Sequence, residues 1–223
     1  MAKQRITTAS TKPSSAVRPG LIIGLIVAVV FIVAGLVLLG NLNQSSSAPV
    51  DLSKFPVEGN PNAKVTILEY SDFGCIHCRD FNLKKLDQLK AEYIDTGKVK
   101  YVVHPFYLGN PDMELASEAA LCANDQGKYF EYQRLLFENQ SKISYDAGTL
   151  TDLGVSLGLD RAKLKQCLDN RTYQTEVENG RDAAAKRGVN STPTFFVNKN
   201  RIEGDQPYET FKQVIEQELA IAQ

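Results

Sequence analysis

The 223 residues, 43% of them hydrophobic, suffice for one complete core, and a second large domain would have to draw on the same residues. The 25 Lys and Arg nearly cancel the 26 Asp and Glu, so the chain carries no electrostatic footprint for nucleic acid or an acidic polymer. The apolar residues, by contrast, are unevenly spread.

Leu21 to Leu39 reads LIIGLIVAVVFIVAGLVLL. At ~1.5 Å per residue this run approaches the ~30 Å hydrocarbon core of a bilayer, and it predicts a transmembrane helix over 21–40. Lys3, Arg5, Lys12 and Arg18 precede it with no acidic residue, whereas Asn41 to Val50 carries no Lys or Arg. The positive-inside bias therefore places residues 1–20 in the cytoplasm and everything after the helix outside, as a single-pass membrane protein. A cleaved signal peptide, cut near Ser46-Ser47-Ala48, is the competing reading. The apolar run exceeds the ~7 to 15 residues of a usual signal core, and Pro49 disfavours cutting there.

Residues 41–62, with Gln44-Ser45-Ser46-Ser47 and Pro49, Pro56 and Pro61, read as a linker, and the folded domain is expected over 63–223. Val65 to Tyr70 is a short β-rich strand, broken by Asp72-Phe73-Gly74 before a helix from Cys75 to about Tyr93. In that helix Cys78, Phe81, Leu86, Leu89 and Tyr93 fall on one arc, so Cys78 faces inward while Cys75 opens the helix. Lys98 to His104 is a second strand, stopped by Pro105. From about 112 to 188 the chain reads as a helical insertion, with Gly127, Gly158 and Gly188 as stops and Asp160 as an N-cap. Thr194 to Val197 and Arg201 to Glu203 flank Asn198-Lys199-Asn200 as a hairpin, and Tyr208 to Ala220 closes the chain as an amphipathic helix. This order predicts an α/β domain, a mixed sheet covered by helices.

Four cysteines in an exported domain meet an oxidising environment, and they allow three pairings. Cys75 and Cys78 close too short a loop for a structural staple to gain much from chain entropy, whereas Cys122 and Cys167 close a long one. The economical assignment is one redox pair and one structural bridge. A thiolate is the attacking species in disulfide exchange, and a helix start favours it through unpaired backbone N–H groups and the dipole. His77, when protonated, would add to this, and Cys78 would be the shielded resolving thiol. Zinc is the bland alternative for a CxxC. It needs four ligands, and there is neither a second CxxC nor any histidine besides His77 and His104, so no metal and no cofactor are expected.

Over roughly Val57 to Ala220 the sequence resembles the DsbA-like branch of the thioredoxin superfamily. The resemblance rests on Glu69-Tyr70-Ser71-Asp72-Phe73-Gly74-Cys75-Ile76-His77-Cys78 and on Gly188-Val189-Asn190-Ser191-Thr192-Pro193-Thr194-Phe195-Phe196-Val197. It implies a thioredoxin-like fold with a helical insertion, a cis peptide bond before Pro193, and a Thr192 backbone that pairs with a bound substrate strand. By the same resemblance Glu69 is a semi-buried acid that relays a proton for Cys78, and Cys122 and Cys167 form a second disulfide in the insertion. Val65, Ile67 and Glu69 share a strand face, so burial would raise the Glu69 pKa. His104 is assigned packing or hydrogen bonding, without catalysis.

The implied activity is formation of disulfides in exported proteins with free thiols. Re-oxidation would come from a membrane quinone-linked oxidase, DsbB-like or resembling vitamin K epoxide reductase. Two departures bear on it. Ile76 stands where the best-known oxidant members have Pro, and Gly74 replaces a larger residue, which would leave the first sulfur more open. A reductase or isomerase of the same fold and a non-enzymatic peptide-binding chaperone are the other readings.

Overall fold

A computed structural model describes residues 51–222. The expected cytoplasmic tail, the transmembrane helix over 21–40 and linker residues 41–50 lie outside the described residues. Among the described residues, no helix is long and apolar enough to cross a membrane.

Five strands form one mixed sheet: β1 (Val57–Gly59), β2 (Val65–Ser71), β3 (Val99–Pro105), β4 (Thr194–Val197) and β5 (Asn200–Glu203), in the order β1-β3-β2-β4-β5. The central pair β2 and β3 is parallel, with Glu69 opposite Val103, and the other pairings are antiparallel. A parallel pair needs a crossover, and the first cysteine segment supplies it. It consists of α1 (Ile76–Lys84), α2 (Leu86–Leu89) and a π-helical turn, Lys90–Ile94. The single helix expected from 75 to 93 is thus interrupted. Lys85 leaves helical geometry at φ −120°, and the wide turn that follows lets the adjacent Tyr93 and Ile94 both be buried.

The insertion comprises α3 (Pro111–Asn124), α4 (Tyr129–Glu138), α5 (Ala147–Ser156), α6 (Arg161–Asp169) and α7 (Gln174–Lys186). Asn110, Asp146 and Asp160 cap α3, α5 and α6 with their side-chain oxygens, each such cap contributing about 1 kcal/mol. The terminal helix α8 (Tyr208–Ile221) returns to the sheet. Alternation along the strands sends Val65, Ile67, Glu69, Tyr101 and Val103 to one face and Leu68, Tyr70 and Val102 to the other. The first face packs against α1, α2, α8 and the insertion, where Phe81, Phe195 and Phe211 stack with ring centroids 4.4 to 5.2 Å apart. The second is covered by Ala184, Val189, Leu52 and Phe55.

Leu52, Phe55 and β1 correct the linker boundary: the chain joins the domain before residue 63. Phe55 lies 4.2 Å from the His104 ring, the Val103 N–H donates to the Pro56 carbonyl at 3.1 Å, and β1 pairs with β3. The gain is largely backbone. β1 satisfies the outer edge of β3, and a three-residue strand with both ends exposed carries no hydrophobic alternation to announce it.

Candidate functional site

Strand β2 ends at Ser71, and the chain then turns so that a helix begins at Cys75. The Asp72 carboxylate shapes the turn: Oδ1 accepts from the Gly74 N–H at 2.8 Å and Oδ2 from the Leu108 N–H at 3.0 Å. The Asp72 carbonyl also accepts from the Cys75 N–H at 3.0 Å. Gln140 in the insertion clamps the turn from outside, its amide donating to the Phe73 and Cys75 carbonyls at 2.7 and 2.9 Å. Burial raises the Asp72 pKa, and its two backbone donors oppose this by favouring the carboxylate.

Cys75 is the N-cap of α1 in extended geometry, with no side-chain cap bond of its own. Cys75 and Cys78 are both unbridged, Cys75 half-buried and Cys78 fully buried. As a thiol, Cys75 donates to the Thr192 carbonyl at 3.3 Å. That contact serves only the protonated sulfur. Once ionised, the sulfur is stabilised first by the Cys78 thiol, then by the Thr192 side chain and the backbone N–H groups of Cys78 and His77, and its pKa falls to about 5. Residue 77 thus contributes through its backbone, while its imidazole lies on the exposed surface. Burial pushes the Cys78 thiol well up, reinforced by the neighbouring Cys75 sulfur and Glu69. The two sulfurs therefore differ in environment: Cys75 is partly exposed with its pKa lowered, and Cys78 is buried with its pKa raised.

Thr192-Pro193 is a cis peptide bond, and it sets the Thr192 carbonyl against Cys75 at the start of β4. Having no N–H, Pro193 leaves no donor stranded beside the sulfur. Glu69 lies behind the cysteines, fully buried on the β2 face that meets α1. Its pKa is raised by burial to about 7, against hydrogen bonds from Tyr101 and Asn82 that favour the carboxylate. Gly74 itself is exposed. A Cβ there would meet the Met113 side chain of α3 at 3.0 Å, so a larger residue at this position would press on the insertion. The exposed apolar surface beside Cys75 comes instead from Ile76, 53% exposed.

Cys122 in α3 and Cys167 in α6 are joined by a disulfide, with Cα atoms 6.0 Å apart. His104 lies on the opposite face of the sheet from Glu69. It is stacked between Phe55 and Tyr70, Nδ1 is 3.0 Å from the Pro105 carbonyl, and burial drives its pKa down to about 4. A neutral packed imidazole there stands apart from Cys75 and Cys78. Among the described residues, no cluster of His, Cys, Asp and Glu has metal-binding geometry.

Sequence reasoning gave Asp72 no role beyond ending the strand and matching the motif, and passed over Tyr101, Asn82, Gln133 and Gln140. For Asn82 a signal existed: it falls four residues after Cys78, on the same buried arc, where a polar side chain needs an internal partner.

A CxxC opening a helix after a central strand, with a cis-proline peptide against its first sulfur, defines a thioredoxin-fold protein of thiol-disulfide exchange. A family model described as Thioredoxin matches residues 53–217, and the chain belongs to that family, in its DsbA-like group of thiol-disulfide oxidoreductases. It is 31% identical over 184 residues to the Disulfide bond formation protein D of Bacillus subtilis, across 79% of this chain and 82% of that protein. The crystal structure of oxidised BdbD from Bacillus subtilis superposes with a TM-score of 0.70 at 29% identity, covering 80% of this chain and 100% of the other. Wolbachia pipientis alpha-DsbA1 follows at a TM-score of 0.69 and 25% identity, covering 78% and 94%. The protein is an enzyme of protein thiol-disulfide exchange.

Proposed function

We propose that the domain works outside the cytoplasm, tethered by the 21–40 helix, and forms disulfides in exported proteins through Cys75 and Cys78. In the oxidised state a substrate thiolate attacks the Cys75 sulfur. The Cys75–Cys78 bond breaks, a substrate–Cys75 disulfide forms, and the departing Cys78 thiolate takes a proton from Glu69. A second substrate thiolate then attacks the substrate sulfur of that mixed disulfide and expels Cys75 as a thiolate. The substrate has lost two electrons and the enzyme pair has gained them. A membrane quinone-linked oxidase, DsbB-like or resembling vitamin K epoxide reductase, removes them again.

One observation carries this reading: the Cys75 sulfur meets donors suited to a thiolate, which makes it the better leaving group, while its partner is buried. Thr192, on the cis peptide beside it, is the backbone against which a substrate strand aligns. Tethering favours encounters with exported chains and with the membrane oxidase by raising effective concentration.

The test is capture with Cys78→Ser. In this variant the Cys75 thiolate attacks a disulfide of an already oxidised substrate and expels one substrate thiolate, and with no sulfur at 78 to release it the mixed disulfide should accumulate; a folded, exported variant that captures none would remove the reading. The direction of exchange is read from the reduction potential. A value toward ~−120 mV supports oxidation, and one near ~−270 mV would point to a reductase.

A further inference from the structure

Three helices of the insertion begin at residues whose own side chains hold the cap: Asn110, Asp146 and Asp160 each accept from an N–H of the first turn. The helix that carries the cysteines begins differently. Cys75 caps α1 in extended geometry, φ −84° and ψ 122°, and its side chain takes no cap hydrogen bond. Gly74 stands directly before it and adds little conformational restraint of its own. The conformation of residues 74 and 75 has to be held from elsewhere.

Gln140, half-buried just after α4, supplies that hold. Its side-chain nitrogen donates to the Phe73 carbonyl at 2.7 Å and to the Cys75 carbonyl at 2.9 Å. The first carbonyl belongs to the peptide before Gly74 and the second to the peptide after Cys75, so one side chain brackets both residues. The Cys75 carbonyl also accepts from the Arg79 N–H at 3.1 Å, a bond of the helix itself. Two donors on one oxygen leave that peptide plane little freedom. Gln140 is fixed in its turn: its carbonyl accepts from the Tyr145 hydroxyl at 2.9 Å, and its N–H donates to the Phe137 carbonyl at 3.3 Å. The Phe137 ring packs on that of Phe73, centroids 5.2 Å apart, so the end of α4 grips the turn by ring and amide together.

We propose that Gln140 is a positioning residue for Cys75: by fixing the Cys75 carbonyl it aims the Cys75 sulfur at the N–H groups that open α1. Rotation about the Cα–C bond of Cys75 sets where its carbonyl points and, with it, where the following N–H groups lie relative to the sulfur. Held at ψ 122°, that bond keeps the N–H groups of His77 and Cys78 within reach of the thiolate. The ionisable groups facing the sulfur are Cys78 from α1, Asp72 from the turn and Glu69 from β2. Gln140 is neutral and adds no charge to that set, so its effect passes through geometry. The insertion thereby shares in setting the reactivity of a sulfur that the thioredoxin-like part carries. The inference rests on the reading of Cys75 as the sulfur that exchanges with substrate.

Gln140→Met keeps the length of the side chain and removes the donor. With Cys75 and Cys78 reduced in the full chain, alkylation by iodoacetamide is followed on the Cys75 peptide by mass spectrometry, near pH 5, where about half of the wild-type sulfur is ionised, and near pH 8, where nearly all of it is. Poorer alignment with the two N–H groups should raise the Cys75 pKa by at least about half a unit, which cuts the thiolate fraction about twofold at the lower pH and hardly at all at the higher one. The rate should follow, falling about twofold or more near pH 5 and holding near pH 8. A folded variant that reacts like the wild type at the lower pH overturns the proposal. Equal slowing at both pH values overturns it too, because that pattern reports blocked access. If Gln140→Met does not fold, Gln140→Ala removes the donor without filling its space, and the same two rates decide. Capture of substrates by Cys78→Ser, run in parallel, keeps the ideas apart: its failure sinks the exchange reading, whereas intact capture with unchanged alkylation sinks only the role of Gln140.

Discussion

Replacing Cys78 by Ala and by Ser separates the donors that hold Cys75 ionised. The Cys78 thiol is the largest influence bringing the Cys75 pKa to about 5. A hydrogen bond to a charged acceptor contributes about 1.5–3 kcal/mol, and one pKa unit corresponds to ~1.36 kcal/mol. Removing the donor in Cys78→Ala should therefore raise the Cys75 pKa by about 1 to 2 units, which at pH 7 lowers the thiolate fraction from ~99% to between ~90% and ~50%. Cys78→Ser keeps a hydroxyl donor and should stay within about half a unit of the wild type. With Cys122 and Cys167 bridged, Cys75 is the only thiol left to titrate in either variant, so thiolate absorbance near 240 nm reads it directly. An Ala variant that titrates like the wild type would show that the helix start and Thr192 suffice. A Ser variant shifted as far as Ala would show that packing, not donation, matters at 78.

The reduced domain should be more stable than the oxidised one, because only reduced Cys75 has an ionisation to gain from folding. Its folded pKa of about 5 lies below the usual thiol value, so that gain is full above pH ~9, about 2.7 kcal/mol at most at pH 7, and lost as pH falls through 5. Solvent at the half-exposed sulfur reduces it, and the gap in Tm between the two forms should close between pH 7 and 4. Glu69→Gln should stabilise the fold by about 3 kcal/mol at pH 8 and little at pH 4, since burial raises that carboxyl to about 7 and the cost of ionising it appears only as pH rises. Urea titrations at the two pH values measure this, and equal gains at both would refute it; exchange should slow in the same variant. Gly180→Ala puts a Cβ 2.6 Å from the His104 ring and should cost about 1–3 kcal/mol in spite of the better helix propensity. Thermal melts check it, and an unchanged Tm would show that α7 can shift freely. Opening the Cys122–Cys167 bridge with paired serines removes a link across a separation of 45 residues and should cost up to about 4 kcal/mol, with the Cys75 titration unchanged. A shifted Cys75 pKa in that variant would mean that the bridge also shapes the redox turn.

The placement of Cys75, Cys78 and Pro193 was legible because each is tied to a local backbone requirement: a sulfur at a helix start follows from a CxxC placed after a strand, and Thr192-Pro193 precedes a β-rich run. The supporting groups were not legible. Asn82 and Gln133 are polar residues that composition assigns to the surface, and only the tertiary meeting of α1, α4 and β2 joins Asn82 to Glu69 and Gln133 to Asn82. The same holds for Asp72, whose second donor comes from Leu108, far along the chain. β1 was hidden for a different reason. Its three residues are held by an edge of the sheet, a property of β3 that the β1 sequence does not encode.

The staple between α3 and α6 turns the domain's chemistry back on itself. Closing the bridge takes two electrons from the Cys122 and Cys167 thiols, the same oxidation that the proposed function carries out on other chains, so under that proposal each new copy is itself a client before it can work.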